Sequence, residues 1–247
     1  MPTVEAPIRA RLGGPLKLAI PRGALWGETL DALDAIGVDT SQMRGESRSL
    51  IFSSNGLTLV TMRPSDVPTY VEAGAADLGI TGKDVLMEQT DRIVYEILDL
   101  AYGDCKVVLA GREDDESLGE SERRLGGMRI ATKYPRIAER YFEETGRQAE
   151  VIEVKGSVEL APLVGLADGI VDLVATGRTL RENGLEIREE IATSTARLVA
   201  NRVSHKLRAP EVDDLVERLR EVRRRPAPGS REGARPGATR FESEEAG

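Results

Sequence analysis

The chain has 247 residues, a formal net charge of -8, 31% charged and 40% hydrophobic residues. That length leaves room for one or two domains with a real core, and the composition excludes a chain disordered throughout. The acidic balance excludes the broadly basic surface that nucleic acid or an anionic membrane selects, and no run of eighteen apolar residues offers a membrane-spanning helix.

Met1–Pro15 reads as a frayed leader without an apolar secretory core, so a cytoplasmic protein is expected. Leu16 to Ile20 forms a buried strand, stopped by Pro21-Arg22-Gly23. A helix follows with Trp26, Leu30 and Leu33 on one core-facing side, and Gly37 ends it. Leu57 to Met62 is a strand, and Arg63-Pro64-Ser65-Asp66 turns into a helix through Val67, Tyr70 and Val71. Asp77 to Thr81 is a short strand, after which Asp84 opens a helix. Ile93 to Leu98 and Lys106 to Ala110 are strands. Residues 112–127 are polar and suit a connection between two lobes. Arg129 to Thr132 is a strand, and Pro135 opens a helix with Ile137 and Tyr141 on one side. Val151 to Val154 is a strand, Glu159 to Leu166 a helix, and Asp172 to Ala175 a strand closed by Thr176-Gly177. Ala196 to Asn201 is the last strand, and Pro210 starts a helix with Val212, Leu215, Val216, Leu219 and Val222 inward. Arg223–Gly247 is a Pro- and Gly-rich polar tail without core-forming residues. Repeated strand–turn–helix units imply an α/β architecture with mostly parallel pairing.

Ligands of such folds bind beyond the carboxyl ends of the strands. Four strand ends carry small residues, hydroxyls or cations: Pro21-Arg22-Gly23, Thr81-Gly82-Lys83-Asp84, Thr132-Lys133-Tyr134 and Ala175-Thr176-Gly177-Arg178-Thr179. Backbone N–H groups at strand-to-helix turns favour anions, so four such turns suggest a phosphate-rich ligand. The last turn is the sharpest: Gly177 admits close approach, Thr176 and Thr179 offer hydroxyls, and Arg178 adds charge. The same residues also suit an ordinary glycine turn with Thr179 capping the next helix. Neither the Gly-Lys-Ser/Thr phosphate loop nor Gly-x-Gly-x-x-Gly is present. One cysteine, Cys105, and one histidine, His205, argue against a disulfide, a metal cluster or a Ser-His-Asp triad. Cys105 reads as a packed strand residue.

The run Glu159-x5-Gly165-x-Ala167-Asp168-x-Ile170-x-Asp172-Leu173-Val174-x-Thr176-Gly177-x-Thr179-Leu180 resembles the signature of the ATP phosphoribosyltransferases. Leu18-Ala-Ile-Pro-Arg-Gly-Ala-Leu25, Arg63-Pro64-Ser65-Asp66-Val67-Pro68, Asp77-Leu-Gly-Ile-Thr-Gly-Lys-Asp84 and Arg129-Ile-Ala-Thr-Lys-Tyr-Pro135 agree with it. The resemblance spans about residues 16–222. It implies a two-lobed fold like a type II periplasmic binding protein, with one discontinuous lobe at 16–108 plus 193–222 and another at 109–192.

The implied reaction is the first step of histidine biosynthesis: N1 of the ATP adenine attacks C1 of phosphoribosyl pyrophosphate, and pyrophosphate leaves with Mg2+. The 5-phosphate loop of the family maps onto Asp172 to Thr179, with Ala175, Thr176, Gly177, Arg178 and Thr179 around the phosphate and Asp172 either reaching toward the ribose hydroxyls or ordering the loop. Arg22, Lys83 and Lys133 are the cations expected at pyrophosphate or triphosphate, Arg22 and Lys83 joining Asp172 as catalytic candidates. Asp84, Glu159 and Tyr134 are expected near nucleotide or ribose, and no protein side chain is assigned to the metal. The histidine-binding domain of the long form has no counterpart in the sequence after Arg225. The resemblance is therefore to the short form, implying a homodimer and a separate histidyl-tRNA-synthetase-like regulatory subunit. The competing reading is a non-catalytic small-solute-binding module of the same two-lobed fold.

Overall fold

A computed structural model describes residues 14–45, 48–113 and 127–224. Most of the leader, the core of the polar 112–127 connection and the tail from residue 225 lie outside the described residues.

Two sheets form the framework. The six-stranded sheet has the order β2-β3-β1-β4-β11-β5, and the five-stranded sheet has the order β10-β6-β9-β7-β8. The strands of the first are β1 (Leu16–Pro21), β2 (Ile51–Ser54), β3 (Leu57–Met62), β4 (Leu78–Gly82), β5 (Tyr95–Asp99) and β11 (Ala196–Ala200). Those of the second are β6 (Cys105–Arg112), β7 (Met128–Thr132), β8 (Ala149–Glu153), β9 (Gly169–Val174) and β10 (Leu185–Ser194). The helices are α1 (Trp26–Ala35), α2 (Ser41–Arg44), α3 (Val67–Glu72), α4 (Lys83–Glu88), α5 (Pro135–Thr145), α6 (Leu160–Leu163), α7 (Arg178–Glu182), α8 (Arg202–Leu207) and α9 (Ala209–Arg224).

The pairing is mixed rather than mostly parallel. The strands joined through helices pair parallel, as β3-β1-β4 in the first sheet and β9-β7-β8 in the second. The other pairings are antiparallel for local reasons. β2 and β3 form a hairpin across Asn55-Gly56, both at positive φ, and such a short turn permits only antiparallel return. β6 and β11 are the strands that carry the chain from one sheet to the other. Residues 105–108, expected at the end of the first lobe, pair within the second sheet, because β6 is hydrogen-bonded there along its length.

Each sheet is covered on both faces, which is why its central strands read as continuous apolar runs. Leu18, Ile20, Leu59, Leu78, Ile80 and Leu198 meet Leu30 and Leu33 of α1 and Leu215 and Leu219 of α9. On the opposite face Ala19 and Val199 meet Val67 and Val71 of α3. In the second sheet Val107, Leu109 and Ile130 pack with Ile137 and Phe142 of α5, while Val108, Ala110 and Ile170 face α6 and Leu180 of α7. Each fully buried aliphatic side chain contributes about 1.5–3 kcal/mol by leaving water.

Several expectations are corrected. Glu159 to Leu166 is not one helix: α6 is a single turn, and Gly165 at φ 74° redirects the chain. β9 begins at Gly169, so Asp172 lies toward the carboxyl end of the strand rather than at its start. Thr179 is inside α7 and caps nothing; Gly177 occupies the N-cap position. β10 and α8 carry no strong apolar period and escape sequence reading. α8 is capped by Asn201, whose Oδ1 accepts from the amides of Val203 (2.9 Å) and Ser204 (3.0 Å).

Gly79 sits where β4 passes beneath α3. A Cβ there would stand 2.8 Å from Val71 Cγ2 and press on Val67 Cγ1. Gly79→Ala should therefore destabilise the protein by about 1–3 kcal/mol. Urea unfolding measures it, and a variant as stable as the parent would show that α3 yields freely.

Candidate active site

The chain crosses between sheets twice, at neighbouring places. Leu100 donates its amide to Ala196 O (2.9 Å), and Ala196 donates to Tyr102 O (2.9 Å). Beside this doubled connection lies a cavity of about 870 Å³ with walls from both sheets. The first sheet contributes residues after β1 (Ala24, Leu25, Glu28), β3 (Arg63, Pro64, Ser65) and β4 (Asp84, Val85). The second contributes Lys133 and Tyr134 after β7, Glu153 to Lys155 at the end of β8, and Leu173 and Ala175 at the end of β9. All follow carboxyl ends of strands, the usual place for a ligand in open α/β sheets.

A second, smaller cavity of about 160 Å³ lies in the turn after β9. Glu159, Asp172 and residues 173–180 line it, and Leu173 and Ala175 border both spaces. Gly177 adopts φ 70°, the left-handed conformation that glycine tolerates. The amides opening α7 have no acceptor within their own helix. Arg178 is turned away, its Nε 2.7 Å from Glu182 Oε1. Arg181 donates to Thr176 O at 3.2 Å and supports the turn from behind.

Two carboxylates are buried at these cavities. Burial raises the Asp84 carboxyl above the usual aspartate range, while a bond from Ser194 Oγ (2.8 Å) holds it down. Ser194 Oγ also accepts from the Asp84 amide at 2.9 Å. Burial likewise raises Asp172, opposed by the bond its Oδ1 accepts from the Leu173 amide (2.9 Å) and by the charge of Lys133. Burial, with Asp84 and Asp172 nearby, pushes the Tyr134 phenol far up, so it stays a hydrogen-bond donor. Burial and Asp84 also raise the Cys105 thiol; Cys105 opens β6 half-buried and lines the larger cavity, rather than packing in the core as expected from sequence.

The structure thus brings together Asp84, Lys133 and Tyr134 at the larger cavity, and Asp172, Glu159 and Ala175 to Thr179 at the smaller one. It does not bring in Lys83, whose Nζ lies 2.6 Å from Glu96, because α4 turns that side chain toward β5. Arg22 is also outside the lining: its Nε donates to Thr61 Oγ1 (3.1 Å) and its guanidinium covers the Trp26 ring at 5.1 Å. Sequence reading missed Arg63 and Lys155. Arg63 and Lys133 form no short ion pair among the described residues, although the charge of Lys133 reaches Asp172, and Lys155 stands 3.9 Å from Glu153. Both missed cations follow strand ends, so the signal existed. Ser194 gave no signal, because its strand was not recognised.

Comparisons agree with this architecture. A family model described as HisG: ATP phosphoribosyltransferase matches residues 63–221. The ATP phosphoribosyltransferase of Rubrobacter xylanophilus is 52% identical over 202 residues, 81% of this chain and 93% of that one. Among solved structures, the ATP phosphoribosyl transferase (HisG:HisZ) complex from Thermotoga maritima matches with a TM-score of 0.70 and 39% identity, over 84% of this chain and 97% of that one. The periplasmic aliphatic sulphonate binding protein SsuA from Escherichia coli matches with a TM-score of 0.56 at 12% identity, over 85% of this chain and 73% of that one, a likeness of fold alone.

Ser194→Ala removes a donor to Asp84, so its carboxyl should titrate at higher pH than in the parent. The ionised group then costs more stability above its folded pKa, a cost relieved as pH falls through that value. A carboxyl-carbon NMR titration reads this, and an unchanged midpoint would mean that Ser194 does not hold Asp84.

Proposed function

This chain belongs to the ATP phosphoribosyltransferase family, and from that premise we propose how its cleft joins ATP to phosphoribosyl pyrophosphate in the first step of histidine biosynthesis. The observation that carries the proposal is the pair of adjoining cavities, about 870 and 160 Å³, meeting at Leu173 and Ala175. The smaller suits the 5-phosphate of the ribosyl substrate: amides from Ala175 to Thr179 and the hydroxyls of Thr176 and Thr179 are its donors. Asp172, on the same wall, takes the ribose hydroxyls. The larger takes the adenine and the polyphosphates. Leu25, Val85, Val154 and Leu173 supply apolar surface, and Asp84 and Tyr134 supply polar partners.

N1 of the adenine forms a bond to C1 of the ribose as the bond from C1 to pyrophosphate breaks. Positive charge grows on the ribose and negative charge on the leaving group. Arg63, Lys133 and Lys155 carry the positive field for the pyrophosphate or triphosphate, in place of Lys83 and Arg22. Mg2+ would enter with the substrate phosphates and neutralise charge on departing pyrophosphate. Asp172 and Glu159 are hard oxygen donors beside the loop and suit a shared ion of that kind, which needs only one or two protein carboxylates. Tyr134 remains protonated as a donor, and orientation replaces any covalent nucleophile.

We assign the lobes as residues 14–100 plus 195–224 and residues 105–194, the cleft lying between them. The assembly we propose is a homodimer joined by a histidyl-tRNA-synthetase-like regulatory subunit, supported by the likeness to a HisG:HisZ complex. Its place is the cytoplasm; among the described residues no helix is long and apolar enough to cross a membrane.

The decisive assay mixes the chain, ATP, phosphoribosyl pyrophosphate and Mg2+, with and without the regulatory subunit, and follows pyrophosphate release. No turnover beside tight binding of an unrelated solute would favour the solute-binding module. Asp172→Asn should lower kcat/KM about 10- to 100-fold, the scale of a lost bond to a charged group, with little change in Tm. A large fall in Tm with activity retained would make Asp172 structural. Since burial raises Asp172, activity that needs its carboxylate should fade on acidification earlier than for an ordinary aspartate. Gly177→Val should weaken phosphoribosyl pyrophosphate binding, measured by calorimetry, because a branched side chain is strained at φ 70° and intrudes on Arg181; unchanged affinity in a folded variant would remove the phosphate from this loop.

A further inference from the structure

Along one flank of the cleft, a helix of the first sheet is fastened to a helix of the second. The Glu88 carboxylate, at the end of α4, accepts from the amides of Arg136 and Ile137, one to each oxygen at 3.1 Å. These amides belong to the first turn of α5, where no intrahelical acceptor exists. Tyr134, at the N-cap position of α5, supplies no side-chain cap. The cap that a local Ser, Thr or Asp usually gives comes here from across the cleft, and its negative charge matches the helix dipole. Two further bonds accompany it: Arg136 Nη1 lies 2.7 Å from Asp91 Oδ1, and Arg140 Nη2 donates to Met87 O at 2.7 Å. Met87 itself packs against the core of the second sheet. The Arg136–Asp91 pair is solvent-exposed and contributes little, so the flank is held by the half-buried Glu88 cap and the Arg140–Met87 bond, beside the Asp84–Ser194 bonds at the crossing.

The fastened segments are those that build the cavity. α4 starts with Asp84 and Val85 near its beginning, and α5 is immediately preceded by Lys133 and Tyr134. The separation of those opposing walls is therefore set a few residues from where they face the ligand.

We propose that Glu88 is a positioning residue for the reaction: by capping α5 from α4 it presets the distance between Lys133–Tyr134 and Asp84, so that the substrates enter a cleft already near its working width. This rests on the reading of the larger cavity as the ATP pocket. Without the cap, the lobes sample wider separations, and the apparent affinity falls in proportion to the competent fraction. Once substrate has drawn the walls together, the reacting geometry is the same. Loss of the cap thus acts on KM rather than on kcat.

The test uses the full chain with its regulatory subunit. Glu88→Ala should raise KM for ATP on the order of fivefold, the scale of a lost helix cap, with kcat changed less than about twofold. Amide hydrogen exchange at Arg136 and Ile137 should quicken in the free variant and slow again with saturating substrates. Glu88→Asp is diagnostic: one methylene shorter, it keeps the charge but not the span, and should behave like Glu88→Ala. If Glu88→Asp matches the parent, charge near the helix suffices and the strut is overturned. Unchanged KM and exchange in Glu88→Ala, or a fall in kcat alone, would overturn it as well. Arg140→Ala, which removes a neighbouring bond, should shift KM in the same direction by less, and decides the matter if Glu88→Ala does not fold. A parent protein that binds no ATP and turns nothing over would sink the reading of the cleft instead, while amide exchange would still decide whether the cap forms.

Discussion

The double crossing of the chain between its two sheets is the constraint on which the site depends. β5 runs in the direction of β1, β3 and β4, because both β4 and β5 pair antiparallel with β11. The chain therefore leaves the first sheet at the end where those strands finish. It enters β6 at once, and β6 is antiparallel to β9, which shares its direction with β7 and β8. The carboxyl ends of both parallel sets are thereby turned toward the crossing. Every strand-to-helix turn that can hold an anion then opens on one cleft, and no residue far from the crossing is needed to explain why.

That geometry resolves an apparent conflict in the charge. An acidic protein is a poor general partner for polyphosphates, yet only the local field matters where low-dielectric walls confine it. Arg63 and Lys133 line the cavity outside any short ion pair among the described residues, the charge of Lys133 reaching Asp172, whereas Lys83 is paired with Glu96 and Arg22 is turned away onto Thr61 and the Trp26 ring. A cation already in a short ion pair has little field left to offer a ligand. The buried carboxylates are the converse case. Asp84 and Asp172 are held with raised pKa by burial and few donors, a configuration that costs stability and is typical of functional positions.

Much of this was legible in the sequence where burial dictates residue type. β1, β4 and β6 are legible because they are buried on both faces, β3 because buried residues alternate with half-buried ones, and α1, α5 and α9 show the helical period because one face is covered. β10 was not legible: Glu186, Arg188, Glu189 and Glu190 lie along a sheet edge, where charge blunts further pairing and hides the strand. The segment at 159–166 misled for the opposite reason. Leu160, Leu163, Val164 and Leu166 are apolar but exposed, so their spacing does not report a buried helical face. Site residues followed the same division. Turn chemistry located the loop after β9 and the approach of Lys133 and Tyr134, but sequence alone could not tell which cations would be taken up by carboxylates, since Glu96 is brought to Lys83 only by sheet pairing.

The end of β9 joins these threads. Asp172 and Leu173 are consecutive on one strand, yet Asp172 lines the smaller cavity while Leu173 borders both. Three residues of extended chain span about 10 Å, so the step from Asp172 to Ala175 covers roughly the width of a ribose and its phosphate. In the reaction proposed above, a phosphate held by the loop amides would leave the ribose beside Leu173 and Ala175, the residues that border both cavities. The same strand is held between β6 and β7 with its apolar residues buried on both faces. Close packing fixes such a strand in place, whereas Lys133 and Tyr134 ride on the start of a helix whose cap comes from α4. Precision on one wall thus comes from core packing and on the other from a carboxylate that reaches across the cleft, and the width between them is the quantity that Glu88 governs.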